Sequence, residues 1–201
     1  MEGERLGEKE NERQRYGRNK ATVVNKHLLE SGEFRRKFDL ITDNAVINRK
    51  LYQLAKKMLL HRSGTKYEDM YWISQETGDI IASETQMNTE EEIKYSDNTK
   101  NVLKQKTGLV TIHSHPMGLP PSVNDFNANY KYGYCFGVVV GHNCRVFIYE
   151  SEELINELYF SIVVAQYRRL GYNEAEAEVK AITHCMERYN ITFKEVTLDV
   201  E

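Results

Sequence analysis

The chain has 201 residues, of which 40% are hydrophobic and 28% are charged, and its formal net charge at pH 7 is −3. This length suits one domain of ordinary size with extensions, and no run approaches the roughly 20 consecutive apolar residues of a membrane-spanning helix. A slightly acidic balance disfavours a dedicated nucleic-acid binder, which would carry a basic excess. The odd number of cysteines and an N-terminal stretch without an apolar core predict a reduced, cytoplasmic protein with no membrane partner.

Residues 1–41 are predicted to form a charged N-terminal extension that is partly disordered. Residues 1–20 alternate acidic and basic side chains and offer almost nothing to bury. They predict a solvated tail or a frayed helix, because ordering them would cost entropy without compensating burial. Residues 21–44 show only a weak helical pattern.

The next predicted element is an amphipathic helix with apolar side chains at four- and three-residue spacing on one face. These residues are Ile47, Leu51, Leu54 and Met58. Thr42 and Asp43 offer N-caps, and Ser63-Gly64 ends the helix. Two short β-prone runs within residues 70–83 flank a glycine-containing turn and predict a hairpin.

A second helix, a strand and a third helix are predicted in the middle of the chain. The polar residues 87–107 carry the helix, with Ser96 or Asp97 as its N-cap. The β-branched run 109–113 predicts a strand that leads directly into a proline-rich loop. A short helix is expected to begin near Ser122.

The last part of the chain predicts a hairpin followed by helices. The runs 134–140 and 145–149 are β-prone and flank a Gly-His-Asn turn. Asn173 and Glu176 have the spacing of a capping box and predict the start of a last helix. An apolar series ahead of them predicts either a core face or a surface for a partner helix. Its members are Leu154, Leu158, Ile162 and Ala165.

This order of elements predicts an α+β domain, or a three-layer α/β/α domain, over residues 42–170. Residues 171–201 are predicted to form a helical C-terminal extension. The sequence contains no internal repeat.

The most informative segment is His113-Ser114-His115-Pro116, which ends the predicted strand. Residues two apart on a strand point to the same side, so the two histidines present their imidazoles together. Asp125 lies about one turn into the following helix, and a tight loop can return its carboxylate to the same point. Two histidines and one carboxylate leave the fourth tetrahedral position of zinc open, which is the pattern of catalytic zinc sites.

Ser122 and Asp125 also have an alternative interpretation. A Ser-x-x-Asp sequence after proline is typical of a plain helix N-terminus, with the serine as cap and the aspartate reaching back to it. The histidines nearby favour the metal site, because two same-face imidazoles and a returning carboxylate together meet the ligand needs of zinc.

A hydrolytic zinc site also needs a base for the proton of the attacking water and a donor for the oxyanion. Ser122 can supply the donor. The best upstream carboxylate for the base is Glu68, which stands just ahead of the first predicted strand. Asp69, Glu76 and Glu84 are nearby competitors.

The histidine segment, the short loop, Ser122-x-x-Asp125 and a glutamate ahead of an upstream strand together resemble the motif of the JAMM metalloproteases, also called JAB or MPN-plus proteins. The resemblance covers roughly residues 45–150. It implies a cytidine-deaminase-like three-layer sheet flanked by helices. It also implies that His113, His115 and Asp125 hold Zn²⁺. Glu68 would then be the general acid/base, and Ser122 would stabilise the tetrahedral intermediate.

The family cleaves peptide or isopeptide bonds, commonly after ubiquitin-like or small sulfur-carrier proteins, and a bacterial or phage branch similar to RadC carries the same motif. The resemblance thus implies a zinc metallopeptidase or isopeptidase whose partner is a protein substrate with a ubiquitin-like or peptide tail. The loop 116–121 holds all three prolines and is one residue shorter than is usual in the family. A non-catalytic binding or scaffold module of this fold and a RadC-like protein are the alternatives.

Overall fold

In the computed structural model, which describes residues 20–86, 89–90 and 92–198, the chain is an α+β protein built on a six-stranded mixed sheet. The strands are β1 (Met70–Ser74), β2 (Ile80–Glu84), β3 (Leu109–His115), β4 (Phe136–Gly141), β5 (Val146–Ser151) and β6 (Ile191–Glu195). The helices are α1 (Lys26–Leu29), α2 (Gly32–Asp39), α3 (Ala45–Arg62), α4 (Asp97–Leu103), α5 (Val123–Tyr132), α6 (Glu157–Arg169) and α7 (Glu174–Met186). Helices flank the sheet, which is compatible with a three-layer α/β/α fold. None of the helices in these ranges is long and apolar enough to cross a membrane.

The sheet has the strand order β2-β1-β3-β4-β5-β6. Neighbouring strands are antiparallel except β3 and β4, which run parallel. Helix α5 connects this parallel pair, in which His115 lies opposite Gly141. On its other side β3 pairs with β1, and His113 lies opposite Met70 at the start of that strand. The carboxyl end of β3 therefore meets the end of β4 and the beginning of β1 at one edge of the sheet.

Helix α3 covers one face of the sheet with the apolar residues that its spacing predicted. Ile47, Leu51, Leu54 and Met58 are all buried. The N-cap of the helix is Asn44, whose side chain accepts from the Val46 and Ile47 amides, and not Thr42 or Asp43 as predicted. The reason is local, because the Thr42 hydroxyl accepts the Asn44 N–H at 3.1 Å and so orients the true cap.

Residues 20–41 pack on the same face of the sheet as α3. Leu29, Phe34 and Phe38 are buried in one core cluster with that helix. Helices α1 and α2 confirm the helical pattern in this stretch. The charged tail predicted for residues 1–20 falls almost wholly on residues 1–19, which lie outside the described residues.

The predicted elements in the middle of the chain are confirmed with changed bounds. Both hairpins form, β1 with β2 and β4 with β5. The helix predicted within residues 87–107 covers only Asp97–Leu103, and Ser96 caps it by accepting the Thr99 amide. Strand β3 runs to His115 rather than ending at His113, so both histidines lie on the strand.

The helical prediction for residues 171–201 is wrong in its last part. Helix α7 begins at the predicted capping box, but Ile191–Glu195 forms strand β6, which pairs antiparallel with β5. Phe193 of this strand stacks on Phe147 with ring centroids 5.8 Å apart. This segment forms a strand because it pairs with the free edge of β5 and makes this cross-strand contact. Strand preference depends on the partner more than on the local sequence.

The apolar series around the start of α6 does not form a core face. Its members Leu154, Leu158, Ile162 and Ala165 are exposed. Helix α6 packs beside α7 and has only Val163 fully buried. The alternative, a surface for a partner helix, stays a prediction.

Candidate metal centre

The carboxyl end of β3 and the first turn of α5 bring three ligand-type side chains together. His113 Nε2 lies 3.2 Å from Asp125 Oδ1, and His115 Nε2 lies 3.6 Å from Asp125 Oδ2. The two histidine Nε2 atoms are 3.0 Å apart. This group, which the sequence predicted as a ligand set, can hold a metal ion.

The distances among the histidine nitrogens and the two carboxylate oxygens are close to those of a small tetrahedral cation site. Zinc binds nitrogen at about 2.0–2.1 Å, so two ligands of a tetrahedral site are about 3.3 Å apart. The two Nε2 atoms are 3.0 Å apart, and the distances from them to the two different oxygens of Asp125 are 3.2 and 3.6 Å. His115 and Asp125 also line a cleft, so the centre opens to solvent on their side. Two imidazoles and a carboxylate suit zinc and other divalent first-row metals.

Asp125 combines the two interpretations that the sequence left open. It forms a capping box with Ser122, because its Oδ2 accepts the Ser122 N–H at 2.7 Å and its own N–H donates to Ser122 Oγ at 3.3 Å. The other carboxylate oxygen, Oδ1, faces His113. The helix cap therefore holds the carboxylate in the orientation that a metal ligand needs.

The electrostatic surroundings keep Asp125 ionised. Burial raises the pKa of this carboxyl, but the charge of His113 and its hydrogen bond lower it, helped by the charge of His115 and the hydrogen bond of Ser122. The pKa of Asp125 is held well below its usual range as a result. The carboxylate is therefore deprotonated at neutral pH, as a metal ligand must be.

Different contacts orient the two histidine rings. His115 Nδ1 lies 3.0 Å from the Leu119 carbonyl oxygen, and because a carbonyl only accepts, Nδ1 is the donor of this bond and Nε2 is the atom that faces the centre. His113 Nδ1 is buried and has no hydrogen-bond partner among the described residues. The His113 ring instead stands edge-on to Tyr149, with centroids 6.4 Å apart. A hydrogen bond thus orients His115, and packing orients His113.

A tight turn closes the loop between His115 and Ser122. Gly118 has a φ of +69°, and its N–H donates to the His115 carbonyl at 3.1 Å. The same carbonyl accepts the N–H of His142 from the β4–β5 turn, also at 3.1 Å. Gly118 packs directly on Asn143 of that turn. The loop 116–121 therefore packs on the β4–β5 turn, and these contacts fix the position of His115.

Gly118→Ala is expected to raise the zinc Kd by about 10–100-fold, the range typical of residues that support metal ligands. Alanine is disfavoured at positive φ, and its Cβ would lie 2.2 Å from Asn143 Nδ2. Both effects push the loop off the turn and misplace His115. Calorimetric titration of metal-free protein with Zn²⁺ measures the change.

Gly133→Ala is the matched control for this substitution. Gly133 ends α5 with a φ of +63° and has nothing within 4 Å of an added Cβ. Gly133→Ala therefore carries the same cost of an alanine at positive φ, but its Cβ meets no neighbouring atom. Equal zinc affinities of the two variants would contradict the role assigned to the loop.

The centre opens onto a cleft of about 1110 Å³. Glu68 and Ser122, the predicted base and donor, line this cleft together with His115 and Asp125. The Ser122 hydroxyl donates to Asp125 Oδ2 at 2.8 Å. Four of the five predicted site residues therefore line one cleft, and His113 adjoins it through its contact with Asp125.

The three neighbouring carboxylates that were alternatives to Glu68 do not line the cleft. Asp69 Oδ1 lies 2.6 Å from the Nε atom of an arginine in α3. Glu84 accepts the N–H of the α4 cap residue at 2.8 Å. Glu76 is exposed in the β1–β2 turn, beyond the end of β1 that lies far from the histidines. Among these four acids, only Glu68 lines the cleft.

Aromatic side chains form one wall of the cleft. Tyr95 and Tyr132 have ring centroids 5.7 Å apart, and Tyr132 stacks on Tyr134 at 5.6 Å. Leu154 and Leu158 line the cleft as well and belong to the exposed apolar series at α6. The cleft thus combines a polar centre with apolar surface that can contact an extended ligand.

Glu178 of α7, which also lines the cleft, makes stability depend on pH. Burial raises its pKa from 4.5 to about 7, and the charge of Glu174 adds to the effect. The folded protein therefore binds more protons than the unfolded chain between these values, and stability is lost as the pH rises through them.

Glu178→Gln is expected to raise the free energy of unfolding at about pH 8 by about 1–3 kcal/mol. At about pH 4.5 the variant should match the wild-type protein, because the carboxyl is protonated there in the folded state. Urea unfolding at both pH values measures the difference. Glu187→Gln, at an exposed position just after the same helix, serves as control, and a gain that does not depend on pH would contradict the assignment.

Comparisons of the chain with models of protein families, with curated proteins and with solved structures return no match. The class of site therefore follows from its geometry. It is a centre of two histidines and one aspartate at the edge of a mixed sheet in an α+β fold.

The sequence did not indicate the residues that support the ligands. The Leu119 carbonyl, the Asn143 side chain and the Tyr149 ring act through a backbone atom or through packing, and neither leaves a motif. Gly118 was the one available signal, because a glycine within a proline-rich loop marks a tight turn.

Proposed function

We propose that this chain is a zinc-dependent hydrolase of peptide or isopeptide bonds, of the JAMM type. The observation that carries the proposal is the convergence of His113, His115 and Asp125 at a cleft that Glu68 also lines. Three protein ligands with one open side are the pattern of catalytic rather than structural zinc. The resemblance of the motif supports the same chemistry.

Zinc held by these residues would supply a Lewis acid and lower the pKa of a water molecule towards about 7. In the proposed reaction Glu68 accepts the proton of the attacking water and passes it to the leaving amine. The Glu68 side chain belongs to a residue that is only 8% exposed. Glu68 therefore lines the cleft while being largely shielded from bulk solvent.

Ser122 is proposed to donate a hydrogen bond to the oxyanion of the tetrahedral intermediate. Its hydroxyl donates to Asp125 at 2.8 Å and must rotate towards the cleft for this role. The rotation leaves Asp125 with the Ser122 N–H at 2.7 Å, so the capping contact and the ligand orientation are kept.

The cleft has room for a segment of protein chain as substrate. Its volume of about 1110 Å³ is close to the upper end of the range of about 300–1,000 Å³ for small-molecule sites. It also includes exposed apolar residues at its rim. We propose a peptide or isopeptide bond at the tail of a ubiquitin-like or small carrier protein as the substrate.

A second candidate is a non-catalytic binding module of the same fold. Two observations favour it: the loop 116–121 is shorter than is usual in the family, and the apolar face of α6 is exposed. This module would need neither zinc nor Glu68 for its action.

Metal analysis combined with a cleavage assay tests the proposed function. The purified protein is expected to hold about one zinc per chain and to cleave a ubiquitin-like protein fused through its C-terminal tail to a reporter. A chelator should stop the cleavage and added Zn²⁺ should restore it. A protein that neither contains nor takes up zinc would refute the proposal. A protein that binds zinc but leaves every fusion intact would favour the binding module.

A further inference from the structure

A buried polar group lies behind the cleft, on the face of the sheet that α3 covers. At its centre is Asp69, a residue only 1% exposed. Its carboxylate lies 2.6 Å from Arg62 Nε and 2.7 Å from His61 Nδ1. Arg62 also donates from Nη2 to the Thr85 carbonyl just after β2, at 2.8 Å.

Ser114 connects this polar group to the metal ligands. It is fully buried and stands between His113 and His115 on β3. Alternate residues of a strand point to opposite faces, so the Ser114 side chain lies on the α3 face while the two histidines lie on the opposite face. The Ser114 N–H donates to the Asp69 carbonyl at 3.1 Å, and the Asp69 N–H donates to Ser114 Oγ at 3.1 Å.

These two bonds extend the pairing of β1 and β3 beyond its regular end. The ladder between the strands stops at Met70 opposite His113. Glu68 precedes β1 and lies outside the ladder. Because Ser114 binds both backbone groups of Asp69, it fixes the residue directly after Glu68 against the strand that carries the two histidines.

We propose that Ser114, Asp69 and Arg62 form a positioning unit that sets the place of Glu68 relative to His113 and His115. This inference rests on the proposed function, in which Glu68 is the general base. Ser114 holds the backbone beside Glu68, and Arg62 anchors Asp69 from α3. None of the three touches the reacting atoms.

Stability alone does not require this arrangement. A buried ion pair such as Arg62–Asp69 is often no more stabilising than apolar residues of similar volume. A displacement of about 1 Å in a catalytic group can cost about 10²-fold in rate. The need to fix the position of Glu68 is therefore a sufficient reason for the buried polar residues Arg62, Asp69 and Ser114.

Ser114→Ala is the test, because it removes one acceptor and adds no bulk. The zinc Kd is expected to stay within about threefold, since the side chain lies on the opposite face from the ligands. The kcat for cleavage of the ubiquitin-like fusion should fall by about 10–100-fold with little change in KM. Ser74→Ala, which removes a hydroxyl at the far end of β1, should leave both values unchanged.

A double-mutant cycle separates positioning from a general structural effect. In the Glu68→Gln background, Ser114→Ala should cause no further loss of kcat, because the group that it positions is already inactive. A full additional loss would overturn the inference. Arg62→Lys provides a second variant should Ser114→Ala not fold. Lysine is a point charge that cannot keep the contacts of Arg62 to both Asp69 and Thr85, so a smaller loss in the same direction is expected.

A crystal structure of the Ser114→Ala variant decides the matter without an activity assay. The Glu68 carboxylate should move by about 1 Å or more relative to the wild-type protein, while the His113 and His115 rings keep their positions. An unmoved Glu68 would overturn the inference. Absence of zinc from wild-type protein would instead refute the proposed function, and the two failures are therefore distinguishable.

Discussion

Glu68→Gln is expected to lower the kcat for cleavage of a ubiquitin-like fusion by about 10²–10⁴-fold, the usual contribution of a general base. Glutamine has nearly the same shape as glutamate but cannot accept the proton of the attacking water. The ligand atoms belong to other residues, so the variant should hold as much zinc as the wild-type protein. Steady-state kinetics together with metal analysis of the same preparation measure both quantities.

Glu76→Gln is the matched control for the loss of Glu68. Glu76 is exposed in the β1–β2 turn, away from the cleft, and the change is chemically identical. Its activity and zinc content should equal those of the wild-type protein. If Glu68→Gln kept full activity, the assignment of the base would be wrong even with zinc bound.

His115→Ala is expected to weaken zinc binding by more than about 100-fold. Loss of a residue that only supports a ligand already costs about 10–100-fold in affinity, and this change removes a ligand itself. His113 and Asp125 would remain, and two ligands do not complete the usual three-ligand set of a catalytic zinc site. Metal analysis after dialysis and calorimetric titration with Zn²⁺ measure the loss.

His27→Ala controls for the loss of a histidine as such, because His27 is exposed on α1, outside the centre. It should retain the full zinc content. A His115→Ala protein with about one tightly bound zinc per chain would show that the three residues are not the ligand set, and the proposed reaction would have to be abandoned.

The elements that the sequence predicted well are those with a local cause. Helix α3 follows from apolar residues at helical spacing, and the hairpins follow from β-prone runs around turns. The clustering of the three candidate ligands was also predictable, because strand alternation places His113 beside His115 and a capping box returns Asp125. Each of these features is set by residues only a few positions apart.

The features that the sequence did not predict depend on remote parts of the chain. Strand β6 forms because it pairs with the free edge of β5, and no local sequence pattern predicted that pairing. The N-cap of α3 is Asn44 rather than the predicted Thr42 or Asp43, because the Thr42 hydroxyl accepts the Asn44 N–H and orients that residue. The contacts of Gly118 with Asn143 and of His113 with Tyr149 join loops and strands that only the folded chain brings together.

The centre is divided between a local and a remote part of the chain. The three candidate ligands lie within residues 113–125, a single strand, loop and helix start, whereas Asp69, which follows Glu68, binds Ser114, a residue 45 positions further along the chain. Closing a short loop costs little chain entropy, so the three residues meet at low cost, and contacts with Asn143 and Tyr149 from the β4–β5 hairpin then hold them in place. The proposed base, Glu68, comes from a different part of the chain. In the proposed mechanism, a substitution of Glu68 alone is therefore expected to abolish the chemistry and leave a metal-binding protein with its metal site intact.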